Sequence, residues 1–124
     1  MKTIVTANAP QAIGPYSQAV QAGGLMFCSG QIALDPATGD FLNGNIRQQT
    51  ERVLNNVQAL LEAGGCTLQN VVKTTCFLAD MGDFAAFNEV YARYFTQKPA
   101  RSCVAAKELP KGALVEVEVI AVLP

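Results

Sequence analysis

The sequence contains no histidine. That absence removes the commonest general base, the usual partner of a nucleophilic serine or cysteine, and the commonest metal ligand. Any catalysis has to rest on carboxylates, tyrosine, lysine, arginine, main-chain dipoles and water. The four cysteines, Cys28, Cys66, Cys76 and Cys103, are widely spaced with no C-x-x-C pair. Each sits in an apolar or strand-like context, so buried free thiols are expected rather than a disulfide framework or a zinc site. There is no basic excess. Nine Lys and Arg face ten Asp and Glu, and the basic residues are scattered, which argues against a phosphate-tracking surface and a nucleic-acid partner. No apolar run approaches the roughly 20 residues a membrane-spanning helix needs. The apolar part of "MKTIVTANAP" is too short for a signal segment, and a cytoplasmic location is expected. Repeats, linkers and low-complexity segments are also lacking. With 124 residues, half of them apolar, the chain is expected to form one domain, 1–124, with a substantial core.

What is present alternates between two periods. Residues 2–6 suggest a first strand, and 18–22 with 25–29 a hairpin around Gly23-Gly24. "DPATGD" predicts the turn of a second hairpin that begins at Gln31. Asn45, with Gln48 three residues on, is the signature of a capping box. Ile46, Thr50, Val53, Leu54, Val57, Leu60 and Leu61 then repeat at three- and four-residue steps, predicting an amphipathic helix that ends at Gly64-Gly65. Residues 70–79 read as a buried strand. Asp83 is the expected cap of a second helix carrying Phe84, Phe87, Tyr91 and Tyr94 or Phe95 inward, with Glu89 and Arg93 paired on another face. Two strands, 101–107 and 114–122, follow around "ELPKGA". The order predicts an α+β domain with two helices on one face of a mixed sheet. The other face then needs a cover, and association with further copies in closed symmetry supplies one.

A few polar residues do not fit a purely structural reading. Alternation in the last strand places Val115, Val117 and Val119 on one face, and Leu114, Glu116, Glu118, Ile120 and Val122 on the other. Its two glutamates either sit on a solvated patch or pair with cations; alternatively, one occupies a pocket at a subunit edge and exchanges protons with water. Arg101 either makes a surface ion pair or, held at a strand entrance by Pro99-Ala100, presents its planar fork to a carboxylate. Cys103 shares the strand face of Arg101. Without histidine it is expected to pack rather than attack, although its main-chain N–H is free to bind a ligand if the strand is an edge. Tyr16, in a loop stiffened by Pro15, reads as an interface or pocket aromatic. Ser29-Gly30 at a strand end reads as a turn or an anion nest.

Four segments, "AIGPYSQA", "FCSGQIALDPATG", "FLADMGDFAAFNEVY" and "PARSCVAAKELPKGALVEVEVIAV", resemble in order the RidA/YjgF family over nearly the whole chain. The resemblance implies a chorismate-mutase-like α+β fold, a homotrimer with clefts between subunits, and no cofactor or metal. It implies 2-iminobutanoate/2-iminopropanoate deaminase activity: hydrolysis of the enamine/imine products of pyridoxal-phosphate dehydratases to 2-oxo acids and ammonia. Carried onto this chain, Arg101 is the expected carboxylate clamp and Glu116 the group that positions or activates water. Tyr16, Ser29 and Gly30 are expected to wall the pocket, Cys103 to line it through its main chain, and Glu118 to be structural. The segment before "PARS" is only "TQK", shorter than in many relatives. The alternatives are a trimer that binds a small carboxylate or acts as a chaperone, and, by fold alone, a chorismate mutase.

Overall fold

The first helix begins as its sequence requires. The Asn45 side chain accepts the Gln48 main-chain N–H, and the Gln48 side chain accepts the Asn45 N–H, both at 2.9 Å. Two of the donors that a helix start leaves unpaired are thereby satisfied. This helix, α1, spans Ile46–Ala63 and gives way to Gly64-Gly65. Gly65 has φ +81°, a left-handed conformation that glycine adopts without strain. The computed structural model, which describes residues 1–124, places α1 and a second helix, α2 (Phe84–Tyr94), on one face of a six-stranded mixed sheet.

The strands are β1 (Lys2–Ile4), β2 (Ala19–Ala22), β3 (Leu25–Gln31), β4 (Val71–Leu78), β5 (Ala100–Ala105) and β6 (Val115–Val122). Their order across the sheet is β1-β2-β3-β6-β4-β5. Every neighbouring pair is antiparallel except β4 and β5, which α2 connects as a crossover. A parallel pair needs such a connection because no tight turn can join its ends. The last strand of the chain is therefore an interior strand of the sheet, and β5 is a free edge.

Alternation decides what faces the helices. Val115, Val117, Val119 and Ala121 of β6 are buried with Met26 and Cys28 of β3 and Cys76 and Leu78 of β4. They join the α1 stripe and Phe87, Val90, Tyr91 and Phe95 in one core cluster. Burying each large apolar side chain there contributes about 1.5–3 kcal/mol. On the opposite face Phe27, Val104 and Val122 stay 39%, 50% and 43% exposed, so within a single chain that face has no cover.

Some local expectations are corrected. The first strand ends at Ile4, since Thr6 turns its N–H to the Gln18 side chain. The second hairpin reduces to one bridge between Leu34 and Phe41, because Asp35 accepts from Ala37 and Gly39 and winds the segment into a tight turn. Asp83 makes no side-chain cap; Asp80 accepts the Gly82 N–H instead and caps a short 3-10 turn that leads into α2. Glu89 forms its salt bridge with Arg47 of α1 rather than with Arg93. This contact links the two helices. No helix is long and apolar enough to cross a membrane.

Candidate functional site

Two cavities hold the residues singled out by the sequence except Cys103, which lines neither. The first is built around an irregularity in β3. Cys28 pairs with Val119 and Gln31 with Val117, so three steps along β3 match two along β6, the signature of a β-bulge. Ser29 and Gly30 occupy the bulge. The Ser29 hydroxyl donates to the Ser17 carbonyl at 2.6 Å, and its N–H donates to the Gln18 carbonyl at 2.9 Å. The loop bearing Tyr16 is thus tied to the sheet. Gln18, itself buried, donates from its amide to the carbonyls of Thr6, Ala9 and Pro10 and fixes the other wall. The result is a cavity of about 410 Å³ whose lining includes Tyr16, Ser29, Gly30, Glu116, Glu118 and Lys111.

Gly30 leaves room for the Glu116 carboxyl in its present position. A Cβ at that position would stand 2.1 Å from Glu116 Oε2, well inside van der Waals contact. The Glu116 carboxyl is half-buried, and burial pushes its pKa up from the ordinary value of 4.5, with the charge of Glu118 adding in the same direction. Desolvation and a like charge both disfavour the carboxylate. A carboxyl shifted this way exchanges protons closer to neutrality than an ordinary glutamate does. Lys111, on the cavity rim, has φ +58°, a conformation uncommon outside glycine and asparagine.

The second cavity, of about 350 Å³, lies between α2 and the entrance to β5 and includes Arg101, Asn88, Tyr91, Lys98 and Pro99 in its walls. Arg101 turns toward α2. Its Nη1 donates to Asn88 Oδ1 at 2.7 Å, and its guanidinium carbon lies 4.8 Å from the Tyr91 ring centroid and 5.3 Å from that of Phe84. Attraction to the ring faces supplements the hydrogen bond. The Tyr91 and Thr74 hydroxyls are hydrogen-bonded at 2.7 Å, which fixes the ring beneath the guanidinium.

Cys103 lies on the same face of β5 as Arg101, half-buried. Burial raises its thiol pKa, and Arg101 only partly opposes this. The register partner of Cys103 on β4, the buried Cys76, is pushed up to about 12. These thiols are poor nucleophiles. The Cys103 main chain is better placed. Ala106 donates its N–H to Leu78 of β4, so alternation along the strand turns the Cys103 N–H outward from the free edge.

Within one chain the cavities do not merge. Arg101 pairs in register with Thr74, and Glu116 with Phe77 three residues further along β4. Typical strand spacing and rise place their Cα atoms roughly 14 Å apart. They also occupy opposite sheet faces: Arg101 meets α2, whereas Glu116 lies on the uncovered side. Tyr16, Ser29, Gly30 and Glu116 are brought together; Arg101 and Cys103 form a separate group. Sequence reasoning passed over Asn88 and Gln18. The available signal was a polar amide embedded in an otherwise apolar segment, "DFAAFNEVY" and "PYSQAV" respectively.

Comparison with known proteins extends this description. The profile described as endoribonuclease L-PSP matches residues 6–123. A RutC family protein of Pyrococcus horikoshii is 53% identical over 121 residues, covering 97% of this chain and 96% of that one. The mouse protein named 2-iminobutanoate/2-iminopropanoate deaminase is 48% identical over 122 residues, covering 98% of this chain and 90% of its own. The crystal structure of the YjgF gene product of E. coli superposes with a TM-score of 0.93 at 44% identity, covering 98% of each chain.

Proposed function

From the premise that this chain belongs to the endoribonuclease L-PSP family, the YjgF/RidA group, we propose that it is a 2-imino acid hydrolase of the 2-iminobutanoate/2-iminopropanoate deaminase type. The observation that carries this reading is the pair of complementary half-sites. One presents a guanidinium without an acidic partner; the other presents a half-buried carboxyl with a raised pKa. A small 2-imino acid needs both, a cation for its carboxylate and a proton-exchanging group beside its C=N carbon.

The half-sites belong together across a subunit boundary. Their placement on opposite faces of one sheet prevents Arg101 and Glu116 from serving the same small substrate within one chain, and the uncovered apolar face offers the surface for association. We assign the active form as a homotrimer in which Arg101 and the Cys103 main chain of one subunit face Glu116, Tyr16, Ser29 and Gly30 of the next.

The chemistry asks little of the protein beyond placement. Arg101 binds the substrate carboxylate through two parallel N–H···O bonds. Glu116 as carboxylate takes a proton from a water while the water oxygen bonds to the imine carbon, the C=N π pair moves onto nitrogen, and nitrogen takes a proton from solvent. Protonated Glu116 then gives its proton to the carbinolamine nitrogen; the C–N bond breaks with its electron pair leaving on ammonia, the hydroxyl proton passes to solvent, and the 2-oxo acid remains. Imines hydrolyse readily in water, so orientation with general acid–base help accounts for acceleration.

The family's endoribonuclease name invites a ribonuclease reading, which the sequence does not favour. RNA cleavage needs acid–base pairs beside phosphate in a cationic groove. This chain has no histidine and carries a net charge of −1.

The decisive assay follows ammonia release from 2-iminobutanoate and 2-iminopropanoate generated in place by a pyridoxal-phosphate dehydratase. Wild type is expected to accelerate release. Arg101→Ala is expected to lose the acceleration mainly through a raised KM, and Glu116→Ala mainly through kcat. A folded wild-type protein that leaves the spontaneous rate unchanged would overturn the catalytic reading in favour of a carboxylate-binding trimer.

A further inference from the structure

Arg101 is surrounded by partners of one kind. Its hydrogen-bond acceptor is the amide oxygen of Asn88, and its two stacking partners are the neutral rings of Tyr91 and Phe84. None of the residues lining its cavity is an aspartate or glutamate. The absence of a carboxylate there has a chemical meaning. Aspartate has nearly the shape of asparagine and would make a stronger, charge-assisted bond to a guanidinium, but it would cancel the charge on which anion binding depends.

The contacts also fix orientation. Phe84, Asn88 and Tyr91 stand at i, i+4 and i+7 on α2 and so form one stripe of the helix. A guanidinium has five N–H donors in a rigid plane. The rings set that plane, and Asn88 occupies a donor at one Nη, leaving other donors for a ligand. Tyr91 is held in turn by Thr74, the register partner of Arg101 on β4. The arrangement closes a loop from strand to helix and back to the arginine.

We propose that Asn88 is a positioning residue for anion recognition: as a neutral acceptor on α2, it orients the Arg101 guanidinium for the substrate carboxylate while leaving its positive charge uncompensated. The proposal rests on the assignment of Arg101 as the carboxylate clamp. It assigns the amide at position 88 to the charge of the binding site, a role distinct from helix packing, because a purely structural contact would tolerate aspartate.

Asn88→Asp, Asn88→Ala and Tyr91→Phe are compared with wild type by melting temperature, by KM and kcat on 2-iminobutanoate, and by calorimetric binding of 2-oxobutanoate. Asn88→Asp is expected to melt at or above the wild-type temperature yet raise KM and weaken 2-oxobutanoate binding by about tenfold or more, with kcat at saturation little changed. Asn88→Ala should show a smaller KM increase, and Tyr91→Phe, which keeps the ring, a smaller one still. Wild-type affinity in folded Asn88→Asp overturns the proposal, as does a kcat loss without a change in KM. Should Asn88→Asp fail to fold, the KM–kcat split in Asn88→Ala decides: KM alone should rise, and an unchanged KM overturns the proposal. If wild type releases no ammonia, the deaminase assignment falls, whereas calorimetry still tests Asn88; 2-oxobutanoate affinity independent of residue 88 then overturns the positioning role as well.

Discussion

The charge state of Glu116 ties stability to the proposed chemistry. Its pKa is raised in the folded chain by burial and by Glu118, so folding favours its protonated form. Stability from this group is fully present below the ordinary glutamate pKa and is lost as pH rises through the folded value. Glu116→Gln, which stays neutral, is therefore expected to melt above wild type at neutral pH, with the difference closing as both are taken below about pH 4. Thermal melts across that range check the sign, and a constant offset would show that the carboxyl's charge is not responsible. The same variant should lose about 10²-fold or more in ammonia release, a trade of stability for function at one position. Gly30→Ala tests the neighbouring constraint. Its Cβ would meet the Glu116 carboxyl at 2.1 Å, so displacement of that group should reduce activity in a protein that still folds. Cys103→Ser is expected to retain activity if only the Cys103 main chain serves the ligand.

Periodicity, capping and registry were unequally visible at the level of secondary structure. The helix over 46–63 was legible down to its cap, because Asn45 and Gln48 satisfy each other locally and the apolar stripe is a property of the helix alone. Asn45→Ala is expected to cost about 1 kcal/mol, measurable as a lower urea midpoint with unchanged m-value. Leu54→Ala or Leu60→Ala on the same helix should cost about 2–5 kcal/mol because both side chains are fully buried. The Glu116 face of β6 was legible for the same reason as the helix: alternation within one strand needs no partner. The neighbours of Glu116 were harder to place. Gly30 reaches it only through the β3 bulge, and β4 lies between β6 and β5. Alternation assigns faces within each strand but not the relative phase of two strands, so the opposite orientations of Arg101 and Glu116 could not be read from spacing. Asp83 failed as a cap for a related reason. A second aspartate three residues earlier makes the cap, and both satisfy the sequence rule.

Across the whole molecule, the proposed trimer, with its site shared between subunits, is testable through activity. In mixed trimers refolded from Arg101→Ala and Glu116→Ala chains, about a quarter of the interfaces combine the intact arginine of one chain with the intact glutamate of another under random mixing. Activity recovered on co-refolding two inactive variants is the expected result; none from well-folded mixed trimers would overturn the pairing of the two residues across a subunit boundary. The position of β6 carries a different consequence, for the order of folding. The strand between β3 and β4 comes after both of them, and after β5, in the sequence. Until it inserts, the β1–β3 meander and the β4–α2–β5 unit have no strand joining them, and the apolar face of α1 has only part of its final partner. Stable structure should therefore arise when β6 inserts and joins both halves. Chains truncated before Val115 are expected to remain protease-sensitive along their length, and those that include residues 115–122 to become resistant together.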